Sequence, residues 1–309
     1  MRLNRNRPIL HGKMKSDRPV AGPEISPSSA SSLIWKTGKR EFDLSVRPHI
    51  MGILNVTPDS FSDGALFRET ERAVERALEM EDEGADSIDI GGESTRPYAS
   101  PVDGKEELER VIPVIQRLAG RLGIPISIDT YKSAVAAEAL RAGAEIVNDI
   151  SGGGFDNAMA DVVAATSAGF VVMHTRGRPA EMQEDTAYRN LIPEVAAFLA
   201  ARIQCAESRG VSRERIVIDP GIGFAKDTRG NLEILRGLKE FSALGRPVLV
   251  GPSRKGFIGA VLGRDVGDRL YGTAAAVALA VAGGASLLRV HDVRQMRDVA
   301  LMAHAVLHP

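Results

Sequence analysis

The sequence predicts an α/β chain folded as a (β/α)₈ (TIM) barrel, and three observations predict it. From His49 onward, short β-branched runs alternate with longer Ala/Glu/Arg-rich stretches, the rhythm of strand and helix. Eight such units fit into roughly 250 residues, the usual length of a closed barrel. An open doubly wound sheet would instead carry a glycine-rich dinucleotide fingerprint after its first strand, and Asn55-Val56-Thr57-Pro58-Asp59-Ser60 is not one.

Residues 1–32 combine six Lys/Arg and two Asp/Glu with four prolines and many serines, too little apolar content to build a core. A flexible basic arm is expected there, with the barrel domain over 33–309. The Arg- and Ser-rich start also resembles a transit peptide, but no amphipathic helical stripe accompanies it. Residues 33–46 predict a hairpin turning at Thr37-Gly38 and packed under the barrel floor, with Trp35 and Phe42 as core. Strands follow over 49–56, 87–92, 125–130, 146–151, 170–174, 215–220, 247–253 and 286–292. Helices are expected over 69–83, 105–122, 132–142, 193–209, 231–244 and 272–282, several followed by the glycine that stops a helix. Strands separated by helices run parallel, and right-handed crossovers wind the sheet one way.

The charge balance, 39 Lys+Arg against 40 Asp+Glu, argues against a nucleic-acid partner, because backbone phosphate binding needs a surplus of cations. Cys205 is the single cysteine, so no internal disulfide can form, which fits a reducing compartment. There is no run of 18 apolar residues and no secretory signal. A cytoplasmic protein without a membrane partner is expected.

Barrel sites are built at the C-terminal strand ends. Those ends carry Asn55, Glu93, Asp129, Asn148-Asp149, His174, Asp219, Ser253-Arg254-Lys255, Arg289 and His291. One such residue is usually a cap or turn former, but a full ring is hard to explain by capping. Phosphate sites in such barrels recur after strands seven and eight, where Ser253-Arg254-Lys255-Gly256 and Arg289-Val290-His291 fall. Arg289 and His291, two apart on a strand, project to one face and can grip an anion together. The bland alternative makes Arg289 barrel glue, paired with a neighbouring carboxylate. Asp129, Asn148 and Asp219 lack the His and Cys of a closed metal site and suit the donor edge of a flat heterocycle. Lys255 could serve its acceptor edge, and Phe224 could stack on the ring. Residues 57–64 and 93–98 read as lids over the mouth.

With these residues assembled, the chain resembles the dihydropteroate synthase family. The resemblance rests on seven ordered motifs: the run from Met51 to Gly64, Asp89-Ile-Gly-Gly-Glu-Ser-Thr-Arg-Pro, Ser127-Ile-Asp-Thr, Val147-Asn-Asp-Ile-Ser-Gly, Asp219-Pro-Gly-Ile-Gly-Phe, Gly251-Pro-Ser-Arg-Lys and Arg289-Val-His-Asp. It implies the same barrel, commonly as a homodimer. It implies condensation of 6-hydroxymethyl-7,8-dihydropterin diphosphate with 4-aminobenzoate, giving 7,8-dihydropteroate and diphosphate. Asp129, Asn148, Asp219 and Lys255 match pterin positions, joined by Phe224 and Met173. Asn55 matches the position that touches Mg²⁺, the expected cofactor. Arg289 and His291, with Thr95 and Arg96 of the second loop, match the diphosphate grip, while Phe61, Pro97 and Ser253 surround the 4-aminobenzoate. Asp129, Lys255 and Asp63 are the implied catalytic groups.

The implied chemistry asks little of a protein acid or base. Diphosphate leaves with its charge neutralised by Mg²⁺, Arg289 and His291, a pterin-methyl cation forms near Asp129, and the neutral arylamine attacks. The chain departs from the family at Thr175 and Gly230, where Met and His are frequent. A pterin-dependent methyltransferase would have no use for the basic clamp, and a non-catalytic pterin-binding paralogue would have lost its lid residues.

Overall fold

The computed structural model describes residues 33–57 and 63–309. The expected arm and Phe61 lie outside the described residues, as does the side chain of Asp63. Strands β1 (Ile34–Thr37) and β2 (Arg40–Asp43) form the expected antiparallel hairpin, pairing Trp35 with Phe42. Then come β3 (His49–Asn55), α1 (Asp63–Asp82), β4 (Ser87–Gly91), α2 (Gly104–Leu118), β5 (Ile126–Asp129), α3 (Ser133–Ala142), β6 (Ile146–Asp149) and α4 (Met159–Ala164). The second half continues with β7 (Gly169–Met173), α5 (Leu191–Ser208), β8 (Ile216–Asp219), α6 (Thr228–Arg236), β9 (Leu249–Val250), α7 (Gly256–Leu262), α8 (Leu270–Ala282), β10 (Leu287–Val290) and α9 (Val293–Leu307).

The eight strands β3–β10 pair in parallel, in the order β8-β7-β6-β5-β4-β3-β10-β9. A parallel bridge between Ile218 and Val248 joins β8 to the start of β9 and nearly closes the barrel. The expected strand over 247–253 shrinks to two residues because Pro247 and Pro252 flank it and proline has no N–H to give a ladder. The helix expected over 231–244 is α6 followed by a 3-10 turn at Leu238–Leu244, split at Gly237.

Two packing layers position the site. Met51, Ile146, Val171, Val217, Leu249 and Leu287 point into the bore and pack against the buried Trp35, which plugs the N-terminal end. The Trp35 indole N–H donates to the Arg215 carbonyl at 3.1 Å, so its polar atom is satisfied inside the plug. A strand repeats its facing every two residues, so the next inward positions on β6, β7, β8 and β10 are Asn148, Met173, Asp219 and Arg289, and Asp89 on β4 and Asp129 on β5 join them.

Candidate active site

The mouth centres on Asp89, a fully buried carboxylate in the middle of β4. Its Oδ2 accepts from Arg289 Nε at 2.5 Å and from Asn148 Nδ2 at 2.9 Å. Arg289 Nη2 donates to Asp129 Oδ2 at 2.6 Å. One edge of the guanidinium therefore spans two carboxylates. The other edge, with Nη1, stays available, since the planar fork carries donors on both sides. Burial pushes the Asp129 carboxyl up while Arg289 pulls it down. Neither Asp89 Oδ1 nor Asp129 Oδ1 has a hydrogen-bond partner, although both are buried, so two acceptors face the bore unsatisfied. Because Asn148 commits its amide N–H to Asp89, its carbonyl is the group free for a ligand donor.

The ring of polar strand ends divides in two. Glu93 is taken up by structure, accepting from the Tyr131 hydroxyl at 2.7 Å and from Lys132, which also reaches Glu107. Asp149 folds its own turn, accepting from Ser151 N–H, Ser151 Oγ and Gly153 N–H at 2.7 Å each. His174 points to Lys226, Nδ1 to Nζ 3.0 Å. A carboxylate or imidazole at a strand end serves the following turn when its side chain sits opposite the bore, which strand-end position alone does not distinguish.

The remaining members converge. Asp219 anchors the Gly221 N–H at 2.7 Å, and burial raises its carboxyl. Lys255 donates to the Ile222 carbonyl and lies 4.4 Å from the centre of the Phe224 ring. Burial draws its ammonium down to about 8, partly offset by Asp219. Phe224 packs in one cluster with Met173, Ile150, Tyr131 and Met182. Four of the six expected pterin residues lie on or beside the inward row of β5–β8, with Lys255 and Phe224 closing it.

On the opposite side of the mouth, Ser253 Oγ accepts the backbone N–H of His291 at 3.2 Å and lies 2.9 Å from His291 Nδ1. Hydroxyl donation to Nδ1 places the imidazole proton on Nε2. Burial, with Arg289 and Arg254 adding to it, lowers the imidazole to about 4. A low-dielectric pocket already holding Arg289 disfavours a second cation, so the imidazole is held neutral near pH 7. Arg289 shows the carboxylate pairing of the glue reading, through Asp89 and Asp129. Arg96 is near enough to push on His291. Thr95 is half-buried, and Arg96 and Pro97 are exposed. The Tyr98 N–H tethers this loop to the Pro179 carbonyl at 3.0 Å. Tyr98, Ala225 and Arg254 are the non-glycine residues with positive φ among the described residues, and all three sit in mouth loops. Asn55 ends β3 exposed, and no described group of three His, Cys, Asp or Glu could hold a metal.

Asp89 and Lys226 carry roles that strand-end reading misses. For Asp89 the available signal was an aspartate at an inward position of a strand otherwise made of Ser, Ile and Gly.

The sequence profile of the family described as "Pterin binding enzyme" matches residues 51–291. A dihydropteroate synthase of Synechocystis sp. is 50% identical over 87% of this chain and 93% of its own length. The structure of Xanthomonas albilineans dihydropteroate synthase with 4-aminobenzoic acid superposes with a TM-score of 0.83 at 43% identity, covering 90% of this chain and all of that one, 100%. Burkholderia cenocepacia dihydropteroate synthase complexed with 7,8-dihydropteroate gives 0.80 at 41%, covering 89% and 97%. With a profile match across the whole barrel and relatives this similar along nearly their full lengths, the chain belongs to the pterin-binding enzyme family.

Proposed function

We propose that this chain condenses 6-hydroxymethyl-7,8-dihydropterin diphosphate with 4-aminobenzoate, yielding 7,8-dihydropteroate and diphosphate. The observation that carries the reading is the arrangement around Asp89. Buried acceptors on Asp89 and Asp129, the Asn148 carbonyl and the Asp219 carboxylate await donors of a flat heterocycle, and the free edge of Arg289 sits beside them for an anion on the same ligand. Lys255 supplies a donor to the acceptor edge of the ring, and Phe224 with Met173 walls it in. The relatives above were solved with the arylamine substrate and with the condensed product, which supports the same ligands here.

In the reaction the carbon–oxygen bond to diphosphate breaks and a carbon–nitrogen bond to the arylamine forms, the amine losing a proton. Arg289 and the His291 Nε2–H hold the departing anion. Asp129, close to Arg289, stabilises positive charge developing on the pterin methylene. From the second loop, Thr95 and Arg96 join the diphosphate grip while Pro97 covers the amine side with Ser253; from the first loop, Phe61 is proposed to wall the amine and Asp63 to act as a catalytic group. Asn55 fits a Mg²⁺ that arrives with the diphosphate: it offers one hard oxygen at the mouth, and the described residues offer no metal cage. When bound, the metal would neutralise diphosphate charge.

The chain is proposed to act as a cytoplasmic homodimer. Its reducing-compartment reading rests on the unpaired Cys205. Among the described residues no helix is long and apolar enough to cross a membrane. A groove between α8 and α9, lined by Ala278, Ala282, Val299, Met302, Ala303 and Val306, has a volume of about 550 Å³ and suits a second copy of the same face. Exposed Leu279 on α8 extends it.

The deciding assay incubates the protein with the dihydropterin diphosphate, Mg²⁺ and 4-aminobenzoate and follows dihydropteroate and released diphosphate. Product dependent on both substrates supports the reaction, and diphosphate release without dihydropteroate overturns it.

A further inference from the structure

The segment between β8 and α6 is a buried loop whose backbone is gripped residue by residue. Gly221, Gly223 and Ala225 all have positive φ, at 71°, 83° and 49°. A side chain at Gly221 would strike the His174 carbonyl, its Cβ falling 1.9 Å from that oxygen, and one at Gly223 would meet Lys255 at 2.5 Å. With alternate residues in the left-handed region the loop makes no ladder, and burial denies it water, so its carbonyls need donors from the protein; apart from the Phe224 N–H to Gly221 O at 3.1 Å, these come from side chains.

Every one of six consecutive carbonyls has a donor. Lys226 Nζ donates to Gly221 O and to Phe224 O, 3.0 Å each. Lys255 takes Ile222 O, Gln183 Nε2 takes Gly223 O at 3.3 Å, and Tyr188 Oη takes Ala225 O at 3.0 Å. Asn231 Nδ2 takes Lys226 O at 3.1 Å, while its Oδ1 accepts the Gly223 N–H at 2.5 Å. Lys226 is the central donor, only 2% exposed, with His174 Nδ1 as its third partner. Its two carbonyls, those of Gly221 and Phe224, span the turn that carries Phe224. Asp219 at one end of the loop and Phe224 within it are both pterin contacts in the reaction proposed above, on which this inference rests.

We infer that Lys226, backed by Tyr188, Gln183 and Asn231, is a positioning residue that fixes the 221–226 loop and thereby sets where Phe224 and Lys255 stand against the pterin ring. Burial draws the Lys226 amine down to about 7, opposed by Asp219 and reinforced by Lys255 and Arg176. Loss of its proton still leaves two hydrogens for the two carbonyls and a lone pair facing the neighbouring His174, so the loop keeps its anchors in either state.

The test is Lys226→Met, which keeps the stem and removes all three bonds. Steady-state kinetics are read beside thermal melting of the same samples. The expected result is a KM for the dihydropterin diphosphate raised about tenfold, with KM for 4-aminobenzoate within about threefold of the parent. Unchanged constants, or both KM values moving together, would overturn the assignment. If Lys226→Met does not fold, Gln183→Leu with Tyr188→Phe decides: the same selective rise, of smaller size, supports the inference and unaltered values overturn it. A parent that makes no dihydropteroate refutes the proposed reaction rather than this one. Calorimetry with a pterin lacking diphosphate then reads the loop directly, weaker binding to the variant supporting the inference and equal binding overturning it.

Discussion

At the N-terminal end of the barrel, Trp35 lies over Met51, Ile146, Val171, Val217, Leu249 and Leu287 in a layer without a charge. Two residues further along, the same β6, β7, β8 and β10 present Asn148, Met173, Asp219 and Arg289, joined by Asp89 and Asp129 from β4 and β5. Alternation makes both layers from one backbone, so what separates floor from mouth is the side-chain chemistry allowed in each. The floor can be filled by area alone, about 25 cal/mol per Å². The mouth buries two carboxylates against one guanidinium and leaves carboxylate oxygens unsatisfied, an arrangement that lowers stability unless a ligand supplies the donors.

Four experiments sharpen or break that contrast. The largest effect is expected at Arg289→Leu, which leaves Asp89 and Asp129 facing each other without a cation. Stability should fall by about 3–5 kcal/mol, and turnover should be lost even at temperatures where the variant is folded. Denaturant unfolding and the synthase assay check it, and retained turnover would remove Arg289 from the anion site.

Trp35→Ala should cost stability on a similar scale, about 3–5 kcal/mol, yet leave both KM values as in the parent when assayed below its melting temperature. A selective change in either KM would show that floor and mouth are coupled.

A smaller loss is expected at Lys255→Met. Removing the donor for the ring's acceptor edge should weaken pterin binding by about 1–3 kcal/mol. Calorimetry with a pterin lacking diphosphate reads it, and unchanged affinity would place Lys255 outside the pocket.

The smallest is a pH effect at His291. The folded imidazole protonates near 4 against an ordinary 6.5, so between these values the unfolded chain binds more protons than the folded one. The stability supplied by keeping this imidazole neutral is present above about pH 6.5 and declines as pH falls toward 4. Parent and His291→Gln unfolding, compared at pH 7 and pH 5, should show the parent losing more on acidification. Equal losses would mean the imidazole is protonated in the fold.

Much of this was legible in the chain itself. Alternating β-branched and Ala/Glu-rich runs determined eight parallel strands, and Gly38 marked the hairpin, whose turn falls at Gly38-Lys39, one residue later than the expected Thr37-Gly38, with Thr37 kept in the strand opposite Arg40. The polar strand ends marked the mouth, since a barrel always gathers them there. What the sequence could not decide was which of those ends face the bore. Glu93, Asp149 and His174 satisfy turns and a buried lysine, whereas Asp89, two residues short of its strand's end, joins Arg289 to Asn148 across β10, β4 and β6. Partnerships of that kind connect residues 59 and 200 positions apart, and only closure of the barrel brings them together. The charge states were decided there too. Burial beside Arg289 lowers both the His291 imidazole and the Lys255 ammonium, and burial is a property of the packed mouth rather than of any stretch of sequence.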